Sequence, residues 1–446
     1  MAELRVVGPG YTLRIVEGSS PPRQPSPGEI EVGLDLFRLD AEAGVVGESL
    51  ASLLLPALEF DEELRGLVES YRRRVVIEEA AELGQRLGPA LRHVRVPALY
   101  FPLARMSRHA ATHACYFSLT PQLLEALSQA YEAYLPEVGD ARDGYVTISP
   151  SRVRVSLSSV FASLFKTVLT AVGSAGLYFW LSPRACGPSP LLLDPLAVIM
   201  PEEGLISGRC ELVEHLSEVL GNSGECRRSS LLFSARICEG GDEKVVIKGY
   251  AYAVPKWLIA GLLSLGAYPF RQTPSGRASN EYAHFIALRR VVRTPRVLGL
   301  CVSPLNASMA REYVEGEVVM NSKDPGAWEA GGEVLARVHR GGFALGDPNP
   351  GNIVISGGKE YLIDAEQAGR FTPVKGAWDL AVYYYYSRFF GVPRDLVAES
   401  VRGYVKGVGG LWNEVRRELL GPRVTPFIAA MPPFMVELLE LLKGLG

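Results

Sequence analysis

Asparagine, glutamine and lysine are scarce in this chain of 446 residues, and its six cysteines include no C-x-x-C pair. Scattered as Cys115, Cys186, Cys210, Cys226, Cys238 and Cys301, they argue against a zinc ribbon or a small secreted disulfide scaffold. Scarce amides fit a hot environment, and GC-rich coding gives the same skew. Neither sign of charge dominates, with a net charge of −3, so nothing in the bulk charge drives nucleic-acid binding. The start, MAELRVVGPGY, lacks a basic region followed by an apolar core; no signal peptide is expected, and the cytoplasm is the expected compartment. Internal repeats, heptads, low-complexity tracts and a G-x-G-x-x-G loop are all missing. One long apolar run exists, 155–181, with Lys166 as its single charge. A charge near the middle of a membrane span is expensive, so the run is read as buried core, not a span.

What is present describes a globular protein: 48% hydrophobic and 21% charged residues, at a length that suits two or three domains. Residues 1–35 read as short strands around the turn SSPPRQPSPG, and 46–135 show helical apolar spacing. GDARDG (139–144) breaks that run, and strand-like alternation resumes in DGYVTISPSRVRVSL. The Pro-rich passage 182–204 reads as a junction, giving an N-terminal α+β domain over 1–204. Beyond it, 229–238 and 242–250 flank an EGG turn and predict a hairpin. A helix is predicted over 280–291 with Ser279 as N-cap, another over 326–340, and mostly helix after 377.

The chemistry is carried by ALGDPNPGNIVI, 344–355, and the strand YLIDAE that follows. Asp347 can accept a hydroxyl proton. Asn352, five residues on, and Asp364, ending the next strand, can hold magnesium ions that bridge the phosphates of ATP. Lys248 ends the predicted strand VVIK, from which a lysine reaches the α- and β-phosphates. Such a lysine needs a carboxylate to hold it, and Glu281 is the sole acidic residue between Lys248 and Arg311. Each piece has a plainer reading on its own: D-P-N-P-G-N is full of turn formers, and Glu281 is an ordinary first-turn acid. The five in order read as one phosphoryl-transfer site.

That set resembles the protein-kinase-like superfamily over about 205–390. VVIK stands at the family's lysine strand, and EYVEG (312–316) matches the hinge that grips adenine through its backbone, here Glu312, Tyr313 and Val314. LARVHRGGFALGD (335–347) is similar to the helix running into H-G-D, LIDAE (362–366) to the D-F-G strand, and Asp379 in WDLA to the aspartate that braces the loop from behind. Leu345 takes the histidine position, and Ala365 that of the phenylalanine. Gly221 and Gly224 in LGNSGE are the nearest substitute for the glycine loop. Only fourteen residues separate Asp364 from Asp379 of the Trp378–Asp379 pair, leaving no room for an activation segment. The pattern resembles the compact atypical branch: RIO, KEOPS-associated, UbiB-like and aminoglycoside-phosphotransferase-like kinases.

The resemblance implies a bilobal fold, with a small β-rich lobe and hinge over 205–318 and a helical lobe over 319–446. It implies ATP and Mg2+ as cofactors and a protein or small-molecule hydroxyl as acceptor. An atypical Ser/Thr protein kinase or ATPase is the first expectation, a small-molecule kinase the second, and a nucleotide-binding scaffold with vestigial catalysis the third. His339 is expected to make a structural hydrogen bond, and His109 and His113 with Cys115 are the one weak metal candidate.

Overall fold

The protein, as a computed structural model, is described over residues 3–110, 118–153, 189–214, 226–228, 235–240, 243–251, 257–258, 260–261, 264, 266–303, 306–429 and 432–444. The run 155–181, Gly221, Gly224, His113 and Cys115 lie outside them. Among the described residues no helix is long and apolar enough to cross a membrane. The chain divides into two compact units, 1–202 with 206–208, and 203–205 with 209–446.

The first unit is mixed α and β. Leu4–Gly8, Tyr11–Val16, Glu29–Gly33 and Glu59–Phe60 form a sheet in which YTLRIV buries Tyr11, Leu13 and Ile15 by strand alternation. The longest helix among its described residues, Arg65–Leu87, holds Glu79 in the interior, where Arg105 Nε donates to Glu79 Oε1 at 2.6 Å. Arg105 also contacts Glu48 and Glu78, so a buried guanidinium faces three carboxylates. GDARDG ends the helical run as expected and also supplies a strand: Gly139–Arg142 pairs with Tyr145–Ile148 around a two-residue Asp143–Gly144 turn. Both turn residues have positive φ, 52° and 76°, as a type I′ hairpin needs.

In the second unit five strands lie side by side. They are β1 (Cys226–Arg228), β2 (Ala235–Gly240), β3 (Glu243–Gly249), β4 (Val297–Val302) and β5 (Ala307–Glu312), in the order β1-β2-β3-β5-β4, all antiparallel. Between β3 and β4 comes helix α1, Pro274–Leu288, packed on β4 and β5. Ser279 is not its N-cap. The helix starts earlier because Thr273 accepts from Gly276 N–H and Pro274 fits the first helical position; Ser279 is buried one turn in. The same cap-then-proline device starts α2 (Pro325–Arg340, capped by Asp324) and α3 (Pro373–Phe389, capped by Thr372). Helix α4, Arg394–Val408, crosses α2 so closely that a Cβ on Gly332 would sit 1.8 Å from the Ser400 carbonyl oxygen. Between α2 and α3 run β6 (Ile353–Ser356) and β7 (Lys359–Leu362), an antiparallel hairpin. The second unit therefore has a small β-rich part and a helical part, in the bilobal α+β arrangement expected.

Two disulfides, unforeseen in the cysteine spacing, staple the sheet: Cys226–Cys238 and Cys210–Cys301. Cys226 and Cys238 face each other across β1 and β2, a pairing fixed by register and so invisible in sequence order. Cys210–Cys301 closes a separation of 91 residues inside an apolar cluster with Val213, Val245 and Ile247. In the chain-entropy model a loop that long is worth about 4–5 kcal/mol. Replacing Cys210 and Cys301 together by alanine should lower the denaturant midpoint of unfolding markedly; an unchanged midpoint would deny the staple its role.

Candidate active site

Lys248 stands near the end of β3, opposite Met309 of β5, so its side chain leaves the sheet toward α1. Its Nζ donates to Glu281 Oε2 at 2.8 Å and to Asp364 Oδ2 at 2.8 Å, and lies 3.6 Å from Glu366 Oε2. Glu281 is fully buried on α1, and Tyr250 O–H donates to the same Oε2 at 2.5 Å. One turn earlier on the same helix face, buried Arg277 reaches Glu366 Oε2 at 3.3 Å. Asn280 Nδ2 donates to the carbonyls of Glu366 at 3.1 Å and Ala368 at 2.8 Å. One face of α1 thus fastens the segment after β7 to the sheet.

The cluster carries three carboxylates against two cations. Burial alone would push the Lys248 ammonium down, but the charges of Asp364, Glu281 and Glu366 outweigh it and hold its pKa above the ordinary lysine value. Burial pushes the Glu281 carboxyl up to about 7, against the pull of Lys248 and with repulsion from Asp364 and Glu366. The site is therefore ready to accept positive charge.

The loop after α2 is held from behind. Asp379, fully buried on α3, accepts Leu345 N–H at 2.6 Å and Gly346 N–H at 2.7 Å. His339 Nε2 lies 3.0 Å from Asp379 Oδ2 and its Nδ1 2.8 Å from Tyr404 Oη, which gives this histidine the structural role expected of it. Trp378 Nε1–H donates to Gly346 O at 3.0 Å. Gly346 has φ +75°, and a Cβ there would meet the Tyr268 ring at 2.5 Å, so glycine alone fits before Asp347. The Asp347 carbonyl accepts Asn349 N–H at 2.8 Å and Asn352 Nδ2 at 3.4 Å, which closes D-P-N-P-G-N into a compact turn. Ile363 N–H then donates to Asn352 O at 2.9 Å, setting Asn352 beside the strand end that bears Asp364.

Together these features reproduce a small antiparallel sheet with a lysine–glutamate pair, followed by a braced loop and an aspartate ending the next hairpin. The fold is protein-kinase-like. No family model matches the chain by sequence, and no curated protein does either. Solved structures similar to it include an aminoglycoside-3'-phosphotransferase of type VIII, at 15% identity and TM-score 0.33, over 48% of this chain and 98% of that one. A choline/ethanolamine kinase family protein from Mesorhizobium loti is similar at 14% identity and TM-score 0.28, over 50% and 98%. So is the Mycobacterium tuberculosis PknI kinase domain, at 14% identity and TM-score 0.28, over 48% and 96%. Likenesses this distant bear on no residue's role.

Of the residues singled out by sequence, Lys248, Glu281 and Asp364 are in direct contact, and Asp347 and Asn352 share one turn beside them. At the hinge, Glu312 N–H donates to Arg296 O at 3.0 Å and Tyr313 N–H to Lys244 O at 3.1 Å, and Val314 follows half-buried. Gly221 and Gly224 precede β1, and the β1–β2 connection, 229–234, also lies outside the described residues. Sequence reasoning missed Glu366, Arg277, Asn280 and Tyr250. The second acid in LIDAE was the one visible clue; the other three have no spacing signature.

Among the described residues no cluster of three or more acidic, histidine or cysteine groups is arranged for a metal. Asp364 and the amide oxygen of Asn352 nonetheless fit magnesium, which takes one or two protein oxygens and fills its shell with water and phosphate oxygens. Asn352 donates through Nδ2, which leaves Oδ1 as its acceptor.

Proposed function

We propose that the second unit is an ATP-dependent phosphotransferase that moves the γ-phosphoryl group of ATP to a hydroxyl of a small molecule. The observation that carries this reading is the buried contact of Lys248 with both Glu281 and Asp364, one strand from Asn352 and Asp347. Held by Glu281, the Lys248 ammonium is positioned for the α- and β-phosphates, and the backbone at Glu312–Val314 for adenine. Magnesium bound by Asn352 and Asp364 would neutralise charge on the phosphate oxygens. Asp347 orients the acceptor hydroxyl and takes its proton as the new O–P bond forms and the β–γ bridging bond breaks, releasing ADP.

The acceptor is read from what surrounds Asp347. Residues 365–372, between Asp364 and α3, leave no activation segment on which an extended peptide could lie. An apolar pocket open to solvent touches Asp347 instead, which favours a small molecule over the Ser/Thr protein-kinase reading. Two disulfides suit an oxidising compartment or the cytoplasm of a hyperthermophile.

Incubation with γ-labelled ATP and Mg2+, with a panel of small alcohols and an ATP-only control, tests the reading. Label should appear on an alcohol. Label on protein alone would restore the protein-kinase reading, label released only as inorganic phosphate would mean an ATPase, and bound but intact ATP a vestigial scaffold.

A further inference from the structure

We propose that the acceptor is an uncharged alcohol with an apolar body, bound in an aromatic pocket in which Asp347 is the single charged group among the described lining residues. This rests on the phosphotransferase reading above. The pocket, about 310 Å³, opens beside Gly346 and Asp347. Eight of its twelve described lining residues are aromatic, among them Trp257, Phe270, Trp378, Tyr385 and Phe427. The volume is about twice the ~150 Å³ that holds a benzene ring, so two ring-sized groups fit.

The charge pattern of the described lining disfavours an anionic acceptor. No lysine or arginine is among the described lining residues, so a phosphate or carboxylate on the acceptor would be desolvated without a partner. A sugar would bury several hydroxyls against a mostly apolar lining, and two of the polar ring groups there are engaged elsewhere. Trp378 Nε1–H donates to Gly346 O, and Tyr385 O–H to Ile428 O at 2.5 Å. A quaternary ammonium needs open ring faces. Trp257 and Phe270 stack on each other at 5.3 Å and 27°, and Trp378 and Phe427 lie tilted 4.7 Å apart, so one face of each of these four inner rings is covered. An apolar body with one hydroxyl, pointed at Asp347, leaves nothing unsatisfied.

The mouth continues the pattern. Phe389 and Phe390, at the end of α3, line the pocket while 64% and 55% exposed. An acceptor longer than the cavity would lay its remaining carbons on these two rings, whose exposure is otherwise a liability. In the reaction the alcohol oxygen bonds to the γ-phosphorus, its proton passes to Asp347, and ADP departs with the bridging oxygen.

The test uses the full chain with MgATP and four probes: geraniol, glucose, choline and glycerol 3-phosphate. Geraniol should be phosphorylated with kcat/KM at least tenfold above the others, and Phe390→Asp should raise its KM at least fivefold while the KM for ATP holds. Preferred turnover of glucose, choline or glycerol 3-phosphate would overturn the pocket proposal and leave the kinase reading standing. Tryptophan fluorescence separates the two claims further, since Trp257 and Trp378 line the cavity. Geraniol should quench it saturably without ATP, and less in Phe390→Asp. No saturable quenching would sink the proposal whether or not ATP is turned over.

Discussion

Asp347→Ala should lower turnover by roughly 10²–10⁴-fold, the usual contribution of a positioned general base, while MgATP still binds with nearly its original affinity. Only the carboxylate disappears. What holds the turn is the residue's backbone carbonyl, which accepts from Asn349 N–H and Asn352 Nδ2, and the alanine variant keeps both bonds. Gly346, whose φ of +75° sets the direction of the loop, is also untouched. Loss should therefore fall on kcat and leave nucleotide affinity alone. Normal turnover by this variant would remove the proton acceptor from the account. An equal loss of ATP binding would make Asp347 a structural residue instead.

Asp379→Ala should be the most damaging change to the helical part of the second unit. Its carboxylate is fully buried and accepts from Leu345 N–H, Gly346 N–H and His339. Removing it strands these donors away from water, at about 1–3 kcal/mol for each buried group left unpaired. Breaking a buried charged network in this way typically totals about 3–5 kcal/mol. The consequence reaches the chemistry because the stranded amides belong to the two residues before Asp347. Urea denaturation should show reduced stability, and kcat should fall even where the variant is folded. Asp379→Asn retains one acceptor oxygen and should recover part of the stability. A variant as stable and active as the parent would mean that the loop is held by something other than this brace.

The parts of the site legible in the sequence were those where chemistry imposes an interval. Asp347 and Asn352 sit five apart because one tight turn must present both, and Asp364 ends the next strand because β6 and β7 form a short hairpin. Glu281 was reached by elimination, and its contact with Lys248 at 2.8 Å agrees with that choice. Partners that meet only through the fold were not legible. Arg277 and Glu366 are 89 positions apart and touch because α1 packs over the end of β7. Cys226 and Cys238 pair by strand register, and Cys210 and Cys301 through a shared apolar cluster. Local propensity misled at Ser279, where an earlier Thr-Pro start won. Among its described residues the first unit offers a buried arginine–glutamate network and two sheets, and none of them fits the phosphoryl-transfer pattern.

The central claim is that Lys248, Glu281 and Asp364 form a receptacle for the phosphates and metal of a nucleotide. Calorimetric titration of ATP into the protein, with Mg2+ and then with EDTA, addresses it most directly, repeated on Asp364→Asn and Lys248→Met. The account predicts saturable binding that weakens at least tenfold without Mg2+, loses its Mg2+ dependence in Asp364→Asn, and nearly vanishes in Lys248→Met. Binding of equal strength with and without the metal, or unaffected by both substitutions, would contradict it.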